Sequence, residues 1–570
     1  MTEFPFMPIP AAPTLLLAVG GAALILGRWV RSSRWYEGVW LAAMLGAAWL
    51  IFAGDVPPDA VAAGDVPRLI WSTDPFSVAA QWLALVLGTL FGIGSFGIRF
   101  PDDRTAERLG FLCFLIAGAM LVGSANDLVT MALSAEIVQF ASWALRKIDR
   151  LEIADRQRDL NPDRQHDSDS NGQPPRDEVC LWLGIATSCC LWLGIALLAN
   201  VTASTQFDEI RLTLTDAYVP GDGHTVIGAG SKLGLLAIGL IVAGLGGRMG
   251  LVPWQIAFIE SSRHVGYWTA GCVLLGGQLT GVLGLARLCG YVWVGYRDEM
   301  LVLLLVVAGL TCAVSGALAG LGLMNGEGRL RRWATSIPML HAAWLTIGLM
   351  AATADLGTPD QSLAAAGGQP GSLALLLFAL GAGQLGLAGL FLLLSYLSRD
   401  DREVEFIDEL LGLGRLQPVP AAALLVVLAS LIGQPPLWGF WANWLLVVAG
   451  LNVRAAGGHD GGAPHAGLIL LLIAATVATL MTAGVVIRFA RVMLLEQPIA
   501  RTLPQGRRAS LVMGCGCAVL LLAIGLFPAR LLSVLSGVRV HDTKPGTVEP
   551  SGSNRGAATA RLDSTARGPG

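Results

Sequence analysis

Three side chains able to hold or exchange charge stand deep inside long apolar runs: Glu136, Arg248 and His341. Glu136 falls about ten residues into the run that opens at Asp127, roughly 15 Å along a helix at 1.5 Å per residue. That depth is near the midplane of a hydrocarbon core about 30 Å thick. Arg248 precedes Pro253 by five residues, and His341 is the histidine placed at membrane depth. An ionisable group there costs about 3 kcal/mol or more and is a functional candidate by default. Glu136 and Arg248 at similar depth are expected to pair. A carboxylate beside a fixed cation stays charged, whereas one that loses the cation is driven by desolvation to take up a proton. Modulating such a pair is a physical way to move a proton. A neutral Glu136 hydrogen-bonded to a neighbouring helix and a purely structural His341 stay open beside that reading.

The elements that must position these groups are membrane helices. The chain has 570 residues, 54% hydrophobic and 14% charged, with a mean hydropathy of +0.62. Soluble domains carry about 25% charged residues, so a water-soluble globule is excluded. Apolar runs near 20 residues long recur throughout, which predicts an all-α polytopic membrane protein of about fourteen transmembrane helices. They fall near 10–27, 38–54, 76–98, 109–124, 127–146, 179–202, 228–258, 265–287, 300–323, 333–353, 371–397, 419–451, 467–494 and 509–536. The first lacks a basic n-region and a small-residue cleavage site, so it reads as a retained helix. The seventh and twelfth are too long for one crossing, and proline interrupts each, at Pro253 and at Pro435-Pro436. Paired interruptions point to two inverted repeats with an ion path between the broken ends. Two unrelated proline kinks are the alternative.

The expected divisions are helices 1–3 in residues 1–108, a first repeat in 109–290 and a second in 291–500. The last helix follows in 501–540, and a solvated, disordered tail in 541–570. Loops after odd-numbered runs hold 25 of the 38 Lys+Arg. By the positive-inside rule those loops are cytoplasmic and both termini are outside. Residues 148–178 are polar and of mixed charge, which predicts a disordered cytoplasmic insertion. The nine cysteines show neither cluster nor zinc spacing and read as packing residues. No phosphate-binding glycine turn or nucleophile–base pair is evident. A soluble redox or hydrolytic site and a nucleic-acid partner are therefore not supported.

These motifs resemble the antiporter-like membrane subunits of respiratory complex I, and within them the N type of NADH:quinone oxidoreductase. The resemblance spans roughly residues 74 to 500. It rests on Asp74-Pro-Phe, Asn126-Asp-Leu through Glu136 to Trp143, and Gly184, Ser188 and Gly194-Ile-Ala-Leu-Leu198. It rests further on Arg248-Met-Gly-Leu-Val-Pro253-Trp through Glu260, and on Ser430-Leu-Ile-Gly-Gln-Pro-Pro436-Leu-Trp-Gly-Phe440. Glu136 is then the family's signature carboxylate. The resemblance implies a multi-pass protein of a bacterial inner membrane, with the bilayer and other complex I membrane subunits as partners. It implies no cofactor in this subunit, since NADH, FMN, iron–sulfur clusters and quinone belong to partner subunits.

The same resemblance exposes departures. Arg248, Gln278 and Asn443 stand where the family has lysines, and residues 179–202 lack the lysine that opens its sixth helix. Buried lysine can release its proton and arginine cannot, and an amide does not titrate. The candidate proton path is Glu136, Arg248, Gln278, His341 and Asn443, with the broken helices at Pro253, Pro435 and Pro436. The reading is a membrane-arm subunit of a proton-translocating NADH:quinone oxidoreductase whose path is degenerate. A structural, non-pumping subunit, an Mrp-type cation/proton antiporter subunit and a substrate transporter with a broken-helix site are the alternatives.

Overall fold

A computed structural model describes residues 11–27, 33–53, 71–72, 74–96, 102–160, 177–216, 227–262, 265–293, 296–324, 330–355, 371–398, 404–453, 466–497 and 508–536. Among them the secondary structure is helical, with two isolated bridges between loop residues. Helices satisfy every backbone group within the segment, which hydrocarbon demands. In order they are α1 (Ala12–Leu26), α2 (Ser33–Ala53), α3 (Pro75–Ser95), α4 (Asp102–Ser124), α5 (Leu128–Leu160) and α6 (Asp177–Thr202). Then come α7 (Phe207–Asp216), α8 (Ile227–Met249), α9 (Gln255–Ser261), α10 (Tyr267–Arg287), α11 (Arg297–Met324) and α12 (Leu330–Asp355). The series ends with α13 (Ser372–Leu397), α14 (Pro418–Leu431), α15 (Trp438–Leu451), α16 (Ala466–Leu494), α17 (Arg508–Leu526) and α18 (Pro528–Leu535).

Twelve of these are long and apolar enough to cross a membrane, and α1, α14 and α15 are shorter apolar helices. The expected fourteen crossings require that α1, and α14 with α15 jointly, span as well. Burial sorts the helices into an inner column and an outer ring. In α10, α12 and α13 94% of the apolar stretch is buried, against 33% in α2, α6 and α11, so those three form the centre.

Both interruptions fall where proline predicts them. α8 stops at Met249, Gly250 adopts φ 85°, and α9 begins at Gln255. α14 stops at Leu431, Gly433 adopts φ 75°, and α15 begins at Trp438. A positive φ is a glycine conformation, and proline supplies no N–H to continue the ladder. The first break is tied to α11 through the Val252 N–H, which donates to Thr311 Oγ1 at 3.2 Å. The second is stitched by the Gly439 N–H donating to Ser430 Oγ at 3.2 Å. A Cβ on Gly439 would stand 1.8 Å from the Ser430 carbonyl oxygen, so only glycine lets the two half-helices approach this closely.

One sequence expectation changes. The predicted disordered insertion 148–178 does not start at 148, because α5 continues to Leu160. Its polar end is held in place: Arg108 Nη2 on α4 bonds Asp149 Oδ1 at 2.7 Å and Glu152 Oε2 at 2.5 Å, and Asp149 also accepts the Gly266 N–H. Residues 161–176 and the tail 541–570 lie outside the described residues. Arg287, the last residue of the predicted run 265–287, is 1% exposed at the end of α10. Its Nε donates to the Gly123 carbonyl at 2.7 Å, and its Nη2 meets Asp74 Oδ1 at 3.0 Å and Ser77 Oγ.

Candidate proton-path site

The first half of the site is an ion pair beside the first break. Glu136 projects from the middle of α5 and Arg248 from the last turn of α8, one residue before the helix stops. Arg248 Nη2 donates to Glu136 Oε1 at 2.6 Å and lies 3.3 Å from Ser188 Oγ on α6. Ser188 Oγ in turn donates to Glu136 Oε2 at 2.8 Å. Both carboxylate oxygens therefore accept a hydrogen bond. The two partners differ in burial: the Arg248 side chain is 2% exposed and that of Glu136 is 31% exposed, so the pair opens on the outer face of α5.

The second half holds no charge. Gln278, fully buried on α10, donates through Nε2 to the Pro338 carbonyl at 2.9 Å and accepts at Oε1 from Gln384 Nε2 at 3.0 Å. His341 on α12 is half-buried, with Nε2 3.3 Å from the Ala379 carbonyl oxygen on α13. A Cβ on Gly383 would stand 1.8 Å from the imidazole, so glycine at that position makes room for the ring. Asn443 on α15 is half-buried and folds over the second break: a Cβ on Gly433 would stand 2.9 Å from its Nδ2.

α10 joins the two halves. A Cβ on Gly277, beside Gln278, would stand 3.0 Å from the Arg248 carbonyl oxygen, so α10 lies directly against the end of α8. The fold thus brings Glu136 to Arg248, sets Gln278 next to Arg248's backbone, and puts His341 and Gln384 on the far side of α10. Asn443 belongs to the second break, over Gly433. Arg248 Nε and Nη1, His341 Nδ1 and Gln384 Oε1 are buried without a partner among the described residues.

Gln384 was not singled out from sequence. Its signal was an amide inside the apolar run Ala374–Leu394, which composition alone cannot tell from a packed core residue. The Asp74–Arg287 and Arg108–Asp149–Glu152 groups were missed because their members stand at the edges of runs and read as loop charge. Among the described residues no cluster of metal-ligating side chains occurs, and the nine cysteines are unpaired.

Residues 179–457 match the family described as NADH:quinone oxidoreductase/Mrp antiporter, transmembrane region. Over a longer stretch the chain resembles subunit N. NADH-quinone oxidoreductase subunit N of Anaeromyxobacter sp. (strain Fw109-5) is 26% identical over 476 residues, covering 79% of this chain and 80% of that protein. In structure, a chain of respiratory complex I from Thermus thermophilus aligns over 92% of this chain and 100% of its own length, with TM-score 0.66 and 19% identity. A chain of the Mrp complex from Dietzia sp. DQ12-45-1b aligns over 93% and 96%, with TM-score 0.69 and 16% identity. At these identities the structural likeness establishes the antiporter-like fold. The matched region begins in α6 and ends just past α15, so it contains Arg248, both breaks and the whole neutral row. Glu136 lies before it, within the longer stretch shared with subunit N.

Proposed function

We propose that this chain is a membrane-arm subunit of a complex I-like NADH:quinone oxidoreductase, of the N type, and that its proton relay by titrating side chains is interrupted. It is a multi-pass protein of a bacterial inner membrane. The observation that carries the assignment is similarity to subunit N along nearly the whole chain, reaching 93% of it for the protein of Laribacter hongkongensis. In this reading the redox cofactors stay in partner subunits, and residues 109–290 and 291–500 act as two related halves.

The interruption follows from the residues present. Arg248 keeps its proton, and Gln278, Gln384 and Asn443 exchange none. Glu136 and His341 are the remaining titratable groups of the row, on opposite sides of α10. The partnerless atoms of Arg248, His341 and Gln384 can each bond water, which offers a hydrated route that needs no lysine. The 31% exposed flank of Glu136 is a costly surface to leave in lipid, and a neighbouring subunit is the expected cover. An Mrp-type antiporter shares the fold but also needs exchangeable protons along the row.

The test is co-purification of the tagged full-length chain from native membranes. Recovery of NADH-oxidising and other complex I membrane subunits is expected. Recovery of cation-antiporter subunits without any of these would overturn the assignment.

A further inference from the structure

Two contacts join α5 to the segment that runs from Arg248 through the first break to the start of α10. At one of them Arg248 Nη2 donates to Glu136 Oε1 at 2.6 Å. Beyond the far end of α9, Asp149 Oδ2 accepts the N–H of Gly266, the residue that caps α10. Glu136 and Asp149 stand thirteen residues apart on one helix, about 20 Å along its axis and about 3.6 turns. The contacts therefore leave α5 on nearly opposite sides, and a roll of α5 disturbs both at once.

The two sides of this closed frame differ in stiffness. α5 holds neither glycine nor proline from Leu128 to Leu160, and those are the residues at which helices kink. The other side is jointed: Gly250 turns at φ 85°, Pro253 follows, and α9 is seven residues long. Phe258 of α9 packs onto the joint, since a Cβ on Gly250 would stand 2.8 Å from its ring. A jointed segment keeps its shape only when both its ends are pinned. The far end is pinned from two directions. Arg331 Nη1 of α12 donates to the Ser262 carbonyl at 2.6 Å and to that of Val265, and Asp149 holds Gly266. Arg108 of α4 fixes Asp149 in turn at 2.7 Å, with both side chains buried.

We propose that Asp149 and Arg331 are positioning residues for the Glu136–Arg248 pair, acting on it through α9 over about 20 Å. The clamp sets where α9 sits, α9 bears on Gly250 through Phe258, and Gly250 sets where the arginine two residues earlier stands. Loosening the clamp lets Arg248 draw away from Glu136. Loosening the pair frees the same joint from its other end. The two contacts are then one energetic unit. Nothing in this geometry depends on the complex the chain serves.

The test is a double-mutant cycle read as the thermal unfolding midpoint of the purified intact complex. Sites more than about 7–10 Å apart that share no partner normally add, so a residue that only stabilises its own surroundings would add. Asp149→Ala leaves Arg108 its bond to Glu152 at 2.5 Å, so no cation is stripped bare. Combined with Glu136→Gln, it should lower the midpoint by clearly less than the sum of the two single shifts, the double variant melting close to the weaker single one. Arg331→Met frees the same link from α12 and should couple to Glu136→Gln in the same way. It also serves where Asp149→Ala does not assemble. Ser510→Ala, which removes the bond from α17 to the Gly94 carbonyl of α3, should add in full. An additive shift for either clamp variant would overturn the proposal, and so would equal coupling for Ser510→Ala.

Discussion

Around the first break a fixed cation, a carboxylate and a hydroxyl close a three-membered network. Across α10 two glutamines and a histidine, and at the second break an asparagine, stand in the row without charge. The backbones share a design: a helix stops, a glycine turns at positive φ, proline denies the next hydrogen bond, and a short helix resumes. Similar breaks therefore do not require similar charge. What differs is the cost of change. A buried charge that loses its partner is penalised heavily, whereas amides can be replaced in pairs at little cost. One half of the molecule is committed to its ions, and the other is free to drift to neutral residues without losing its fold.

The largest expected effect follows from that commitment. Glu136→Gln leaves Arg248 buried and uncompensated. Breaking a fully buried pair costs about 3–5 kcal/mol, and the partial exposure of Glu136 places this one at or below the low end. The amount of assembled complex on native gels should fall sharply, and Arg248→Met added to Glu136→Gln should partly restore it. A double variant no better than the worse single one would break the contrast between the two halves.

In the neutral half the effects are smaller and of a different pattern. Gln278→Leu strands the Gln384 amide, at a cost of about 1–3 kcal/mol, read as lower thermal stability of the purified complex. Gln278→Leu with Gln384→Leu should return close to wild type, because removing both partners leaves nothing unsatisfied. Gly383→Ala forces a Cβ into the His341 ring, an overpacking expected to cost about 1–3 kcal/mol. His341→Ala should relieve it. If it does not, the imidazole is held by something other than this contact.

How much of this was legible in the residue order depends on where each residue sits. Glu136 and Arg248 announced themselves because they interrupt apolar runs at mid-depth, where charge has no bland use. Both breaks were legible because proline and glycine act locally. Arg287 was not: it closes the apolar run of α10, and its partner Asp74 stands 213 residues away. The continuation of α5 to Leu160 was hidden for the same reason, since its polar end depends on Arg108 of another helix. Gln384 was lost among leucines because amide pairing is a tertiary fact. The short surface helix α7 left only a weak amphipathic trace between α6 and α8.

The smallest expected effect bears most directly on the interrupted relay. The proton-to-electron ratio of the purified complex in liposomes should be compared between wild type and Glu136→Ala at matched assembly. An equal ratio is expected, since Arg248, Gln278 and Asn443 leave the side-chain relay without groups that exchange protons. A clear drop in the variant, with redox turnover intact, would contradict it and show that Glu136 still gates a working path.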